Sequence, residues 1–117
     1  MSQTEHNRRI DYIELPATDI AGTRAFYSAV FGWTFTDYGP GYTSFHDGRI
    51  GGGFTTEAKV ASHGGVLVVL YATDLNAIRA SVAKHGGRIA KEIFEFPGGK
   101  RFHFADPNGN ELAVWSE

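Results

Sequence analysis

Hydrophobic and polar positions along this chain switch between two periods. From Arg9 to Ala17 they alternate every second residue, which predicts a strand with Ile10, Tyr12 and Glu14 on one face and Asp11, Ile13 and Leu15 on the other. Asp19 is placed to cap a helix from Ala21 to Phe31, whose Ala25, Phe26, Ala29 and Val30 recur at helical spacing until Gly32 ends it. Trp33 to Tyr38 alternates again as a second strand, Gly39-Pro40-Gly41 reverses the chain, and Tyr42 to His46 is a third strand. Asp47-Gly48 is a two-residue hairpin signal, so Arg49 to Phe54 returns beside it as a fourth. Trp33, Phe26, Phe31 and Tyr27 read as core.

The same order then repeats. Residues 55–65 are polar and aperiodic, a connection that contains His63. Val66 to Tyr71 is almost continuously apolar, the pattern of a strand covered on both faces. Asp74 caps a helix from Leu75 to His85 with Ile78 and Val82 in its buried stripe, and Gly86-Gly87 stops it. Strands follow at Arg88 to Phe94, Arg101 to Ala105 and Glu111 to Trp115, separated by turns at Pro97-Gly98-Gly99 and Asp106-Pro107-Asn108-Gly109. Asn108 and Asn110 read as turn residues without chemistry.

The pattern is therefore a tandem βαβββ repeat, and it is visible in the letters too. Asp11 to Asp19 is DYIELPATD, and Val66 to Asp74 is VLVVLYATD. The two copies differ where the first carries Glu14 and the second Val69, and an acid in the middle of a strand is the main chemical clue in the chain. We expect an α+β fold, one domain over residues 9–117 made of module one at 9–54 and module two at 66–117, with residues 1–8 as a flexible tail.

Composition narrows the function more than the fold. The chain has 117 residues, a net charge of −2 and no basic cluster, which gives no reason to expect nucleic acid or a membrane surface as partner. It has no cysteine, so disulfides, thiolate nucleophiles and sulfur-held metals are excluded. No signal-peptide core or membrane-length apolar run stands out, and a cytoplasmic protein is expected. Fifteen glycines and 14% aromatic residues point to many tight turns and a core or cavity rich in rings.

ATDI followed by AFYSAVFGW in the first half, and ATDL, HGGRI and FADPNGNEL in the second, resemble the vicinal oxygen chelate superfamily, the glyoxalase, bleomycin-resistance and extradiol-dioxygenase group. The resemblance runs from Ile10 to Trp115. It implies paired βαβββ modules that form a cup-shaped mixed sheet, the glyoxalase/bleomycin resistance/dihydroxybiphenyl dioxygenase fold, and commonly a homodimer. The same scaffold houses lyases, epimerases, dioxygenases and pure binding proteins, so it does not name a reaction.

In metal-dependent members the ligands come from the first and last strands of each module. Those positions hold Tyr12, Leu67, Ala113 and a glycine of Gly51 to Gly53, a set with too few oxygen or nitrogen donors for a divalent ion. We therefore expect no metal and no other cofactor. Strand alternation and the family likeness put Tyr12, Glu14, Leu67, Val69, Arg101, His103, Glu111, Ala113 and Trp115 on the cup-facing sides. Of these, Glu14 and His103 are the candidates for catalysis, since a carboxylate beside an imidazole is a proton-transfer pair or a polar anchor. Tyr12, Leu67, Val69, Arg101, Glu111, Ala113 and Trp115 are candidate ligand contacts, although Arg101, after a glycine-lysine turn, also reads as a surface charge. The side-chain-free strip Gly51 to Gly53 would leave room for a ligand.

These readings favour a metal-independent protein that binds an unidentified small molecule in an aromatic pocket around Glu14. The alternative is a glyoxalase-like lyase or isomerase with Glu14 as general base, His103 or Tyr12 assisting and Arg101 stabilising enolate-type charge. A third reading is an atypical metal site built from Asp11, Glu14, His103 and Glu111.

Overall fold

Both helices begin where an aspartate can accept from the backbone it precedes. In the computed structural model, which describes residues 3–61 and 65–117, the Asp19 carboxylate accepts from the Gly22 amide and starts α1 (Ile20–Phe31), and Asp74 accepts from Ala77 and starts α2 (Leu75–Lys84). Gly32, at φ 72°, ends α1 in the left-handed region that a side chain would disfavour. The strands are β1 (Tyr12–Pro16), β2 (Thr34–Asp37), β3 (Tyr42–His46), β4 (Gly51–Thr55), β5 (Val68–Tyr71), β6 (Arg88–Phe96), β7 (Gly99–Ala105) and β8 (Glu111–Ser116). Every element expected from the pattern is present, with ends shifted by a few residues.

The strands make two four-stranded sheets, ordered β1-β4-β3-β2 and β5-β8-β7-β6. In each, the module's first strand pairs parallel with its last and lies at the sheet edge. The expected mixed α+β architecture is present, as two hydrogen-bonded sheets. What unites them is one core. α1 carries Phe26 and Tyr27, fully or nearly fully buried. Tyr27 meets Phe54 of the first sheet at 5.1 Å between centroids, and Phe26 meets Phe104 of the second at 6.0 Å. Trp33 stacks on Tyr27 at 4.6 Å and on Phe45 at 4.5 Å. The four rings read as core all belong to it, Phe31 at its partly buried margin.

The turn after β7 does more than reverse the chain. Asp106, Asn108 and Asn110 are buried. Asn108 Oδ1 accepts from the Thr18 amide at 2.8 Å and the Asp19 amide at 3.3 Å, its Nδ2 donates to Thr23 Oγ1 at 2.9 Å, and Asn110 Nδ2 donates to the Pro16 carbonyl at 2.7 Å. Asp106 accepts from the Tyr27 hydroxyl at 2.8 Å and from the Asn108 and Asn110 amides. The asparagines expected to act only in the turn thus tie module two to the start of α1 in module one, because each side-chain amide can both donate and accept and so pairs with backbone groups there.

Two further expectations change. Val66 and Leu67 precede β5, and Val69 and Tyr71 on that strand are 43% and 49% exposed, so the apolar run covers only one face. The reason is that the helix lies on one face of the sheet, and Val69 and Tyr71 alternate onto the other. Gln3–His6, within the expected flexible tail, forms a short 3-10 helix, and Gln3 Nε2 donates to Asp11 Oδ1 at 2.8 Å. His63 lies outside the described residues. Among them, no helix is long and apolar enough to cross a membrane.

The clamp predicts its own weak points. Asn108→Ala removes a donor and an acceptor from buried partners and should lower stability by about 3 kcal/mol in urea denaturation; a loss under about 0.5 kcal/mol would contradict the clamp. Burial, and secondarily the negative charge and hydrogen bond of Asp106, push the Tyr27 phenol well above its ordinary 10.0. The unfolded chain therefore releases that proton near pH 10 while the fold retains it. Below pH 10 the group adds no pH dependence, and above it stability should fall by about 1.4 kcal/mol per pH unit for this group. Tyr27→Phe should flatten the decline measured between pH 9 and 11.

Candidate functional site

On β1, Leu15 packs against the core, and alternation puts Tyr12 and Glu14 on the opposite face. On β7 the same rule buries Phe102 and Phe104 among the core rings and puts Arg101 and His103 on the other side. Strand β8 adds Ala113 opposite His103 and Trp115 opposite Arg101, and β5 adds Val69 opposite Ala113. The residues singled out from the sequence thus occupy the helix-free faces of the two sheets.

They divide into three groups there. Glu14, Leu67, His103 and Glu111 line one cavity of about 500 Å³ between β1 and the second sheet, together with Ile13, Leu15, Pro16, Asn110 and the segment from Lys59 to Ala61. Val69, Arg101 and Trp115 line a separate slot. Tyr12 lies beside neither and is bonded to Tyr42, while Ala113 is wholly buried beneath the row between Val69 and His103. The cavity around Glu14 is lined by aliphatic and polar residues, not by rings. The aromatic lining expected there belongs to the Arg101 slot, because Trp115 and Phe96 lie at the opposite end of the sheet from Glu111.

His103 is the most constrained of the polar groups. It is 4% exposed, and its Nδ1 lies 2.7 Å from Glu111 Oε2. The carboxylate assigns the ring proton of the neutral form to Nδ1, which leaves Nε2 with its lone pair. Nε2 is buried without a hydrogen-bond partner. Such an atom is costly to bury unless something else completes it. The residue thus combines an oriented imidazole with an unused acceptor, on a cavity that also carries Glu14.

Glu14 is held from its own sheet. The Tyr42 hydroxyl donates to Glu14 Oε2 at 2.8 Å, and Tyr12 and Tyr42 hydroxyls lie 2.5 Å apart. With the Tyr42 proton directed at the carboxylate, Tyr12 donates to Tyr42, and the ladder spends both phenol protons internally. Neither Arg101 nor His103 forms an ion pair with Glu14 among the described residues, because both extend from the second sheet into other contacts. The glycine strip explains how the ladder fits. A Cβ on Gly53 would lie 2.1 Å from the Tyr42 hydroxyl and 2.8 Å from that of Tyr12, and a Cβ on Gly52 would lie 2.3 Å from the Ile13 carbonyl. The space left by the strip is filled by the protein's own tyrosines and backbone, not by a ligand. Partial burial, then the bonds to Tyr12 and Glu14, raise the Tyr42 phenol above its ordinary 10.0.

Tyr42 was not legible as a site residue. It follows a Gly-Pro-Gly turn and carries no motif; only the register that sets β3 beside β4 brings it over Gly53 and toward Glu14. Arg101, read alternatively as a surface charge, is half-buried with its guanidinium 5.5 Å from the ring centroids of both Phe94 and Phe96.

Two βαβββ units sharing one ring core, with polar groups on the helix-free faces of both sheets, define a paired-module protein of the glyoxalase type. The family profile of the Glyoxalase/Bleomycin resistance protein/Dioxygenase superfamily matches residues 9–114, and the chain belongs to that superfamily. It is similar to the anthracycline biosynthesis protein DauV of Streptomyces sp. (strain C5), at 31% identity over 130 aligned positions that take in 89% of this chain and 45% of the relative. The chain thus spans less than half the length of that relative. Among solved structures it is similar to a glyoxalase-related enzyme from Fulvimarina pelagi, at TM-score 0.77 and 18% identity over 94% of this chain and 88% of that one. It is also similar to the fosfomycin resistance protein FosX of Listeria monocytogenes in complex with Mn(II), at TM-score 0.81 and 13% identity over 93% and 90%. Identities of that size speak for the fold alone.

The donors present do not fit the metal that some members of this fold carry. Of the residues at the expected positions, Leu67, Ala113 and the glycines have no donor side chain, and the Tyr12 hydroxyl is engaged with Tyr42. Asp11 is bonded to Gln3. Among the described residues no three or more His, Asp or Glu side chains gather as a metal site. No chemistry is derived through a metal.

Gly53→Ala tests the ladder. Its methyl should displace the Tyr42 hydroxyl, and spectrophotometric titration should then show the Tyr42 phenol ionising closer to 10.0. Tyr42→Phe identifies the phenol concerned; an unchanged titration in Gly53→Ala would contradict the geometry.

Proposed function

We propose that this protein is a small-molecule binding member of the superfamily, which holds its ligand in the cavity between β1 and the second sheet without a resident metal. One observation carries the reading: His103 is oriented by Glu111 and buried with its Nε2 lacking a partner, and the residue lines a cavity together with Glu14. A ligand hydroxyl or N–H would complete Nε2, and Glu14 offers a second acceptor. A volume of about 500 Å³ is within the range of small-molecule sites, and the mainly aliphatic wall supplies the apolar contact such sites use. The relative's part in anthracycline biosynthesis supports an organic metabolite as the ligand. A homodimer is part of the proposal, supported by the uncovered edges of β1 and β5 and by the exposed Ile10 and Val66 beside them.

Native mass spectrometry of freshly purified protein addresses both parts at once, since it reads subunit number and retained mass together. We expect a dimer that carries or takes up a small organic molecule, with uptake weakened about tenfold or more in His103→Gln. A monomer that stays empty across a broad metabolite library, with no thermal shift, would reject the proposal.

The His103 and Glu111 geometry also favours a second reading, a metal-independent proton-transfer enzyme of the lyase or isomerase kind. The base would then be His103 Nε2, with Glu14 as anchor, because Glu14 already accepts a hydrogen bond from the Tyr42 hydroxyl. On any substrate found, His103→Gln should lower kcat by roughly 100-fold or more while Glu14→Gln acts mainly on KM. The reverse pattern would return the base to Glu14.

A further inference from the structure

Arg101 is a half-buried cation. Its guanidinium lies between Phe94 and Phe96, 5.5 Å from each ring centroid, and its Nε is buried with no hydrogen-bond partner. Among the described residues it forms no salt bridge. The acids in neighbouring strands are committed elsewhere: Glu117 accepts from the Tyr71 hydroxyl, Glu92 is paired with Arg79, and Glu95 stands opposite Lys100 in the strand register. The two phenyl rings lie within cation–π reach but offer no lone-pair acceptor to its N–H groups, which lie in the guanidinium plane.

Beside this cation is an open slot of about 360 Å³ lined by Val69, Phe96, Pro97, Gly98 and Trp115, in which the Phe96 and Trp115 rings meet edge to face at 6.3 Å. It shares no lining residue with the cavity around Glu14 and His103. A guanidinium at the edge of a ring-lined slot has a specific complement. The charge calls for a planar anion able to accept two parallel N–H bonds, and the walls call for a flat apolar body. A free inorganic anion would leave the rings uncovered, and a neutral aromatic would leave the guanidinium unpaired.

We propose that this slot is a second binding site, for an aromatic carboxylate whose acid group meets Arg101 and whose ring lies against Trp115 and Phe96. The site is independent of the ligand assigned to the other cavity, so either can fail without the other. Phe94 and Phe96 act as positioning residues, since they lie within cation–π reach of the guanidinium that the carboxylate meets.

The chain contains two tryptophans, Trp115 in the slot and Trp33 in the core, so their indole N–H resonances separate local binding from a global change. Full-length protein would be titrated with 2-naphthoate, and with the matched neutral 2-naphthalenemethanol and cationic 2-naphthylmethylamine, by calorimetry and two-dimensional NMR. We expect naphthoate to bind at least roughly tenfold more tightly than either analogue, to move the Trp115 resonance and to leave Trp33 in place. Arg101→Gln should abolish the preference for the carboxylate while residual binding of the alcohol persists. Arg101→Lys should restore only part of the preference, because a point charge lacks the planar fork. Equal binding of the three probes to the unaltered protein, or a shift at Trp33 in place of Trp115, would overturn the proposal. So would a Trp115 resonance that moves with protein concentration and is insensitive to naphthoate, since the slot would then be covered by a second copy of the chain.

Discussion

The hydrogen-bonded clamp formed by Asp106, Asn108 and Asn110 decides how the two halves of the molecule sit. Each module alone is a sheet with one helix, and an apolar core does not by itself choose one register between two such units, because hydrophobic contact is non-directional. Directional bonds from Asn108 to Thr18, Asp19 and Thr23, and from Asn110 to Pro16, remove that freedom. They act at the point where β1 turns into α1, so they set the position of the strand that carries Glu14. Asp106 adds the Tyr27 hydroxyl, which ties the clamp to the largest fully buried side chain in the core.

With that register set, the helix-free faces acquire different chemistry. The first sheet presents a tyrosine ladder whose protons are spent on one another and on Glu14. The second presents two nitrogens that the protein does not satisfy, Nε2 of His103 and Nε of Arg101, two residues apart on one strand. Unsatisfied buried polar atoms are rare in folded proteins, and a water, an ion or a ligand can supply the bond that the chain does not. The superfamily's scaffold is present here, and the positions expected to serve metals hold Tyr12, Leu67, Ala113 and glycines.

Much of this was legible in the letters. Alternation and helical spacing located every strand and both helices, and the aspartate caps and Gly32 marked helix ends because those signals are local. The shared face of Tyr12 and Glu14, and that of Arg101 and His103, followed from strand period, and the family likeness supplied which face it was. The pairing of Tyr42 with Glu14 did not, since it depends on β3 crossing beside β4. Nor did the roles of Asn108 and Asn110, whose residue types favour a turn whether or not a second module lies within reach. The apolar run at Val66 to Tyr71 was misleading for a related reason, because period-free apolar sequence cannot distinguish a strand covered on both faces from one covered on a single face.

The sequence by itself determined the module, its duplication, the caps and the core rings. Those are properties of residue type and short-range spacing. Only the tertiary structure decided which polar groups meet: that Glu14 shares a cavity with His103 and Glu111, that Arg101 lies in a separate ring-walled slot, and that the glycine strip holds tyrosines. Such pairings depend on strand register and on the packing of one module against the other. Both are set by contacts between residues far apart in the chain, which no local pattern encodes.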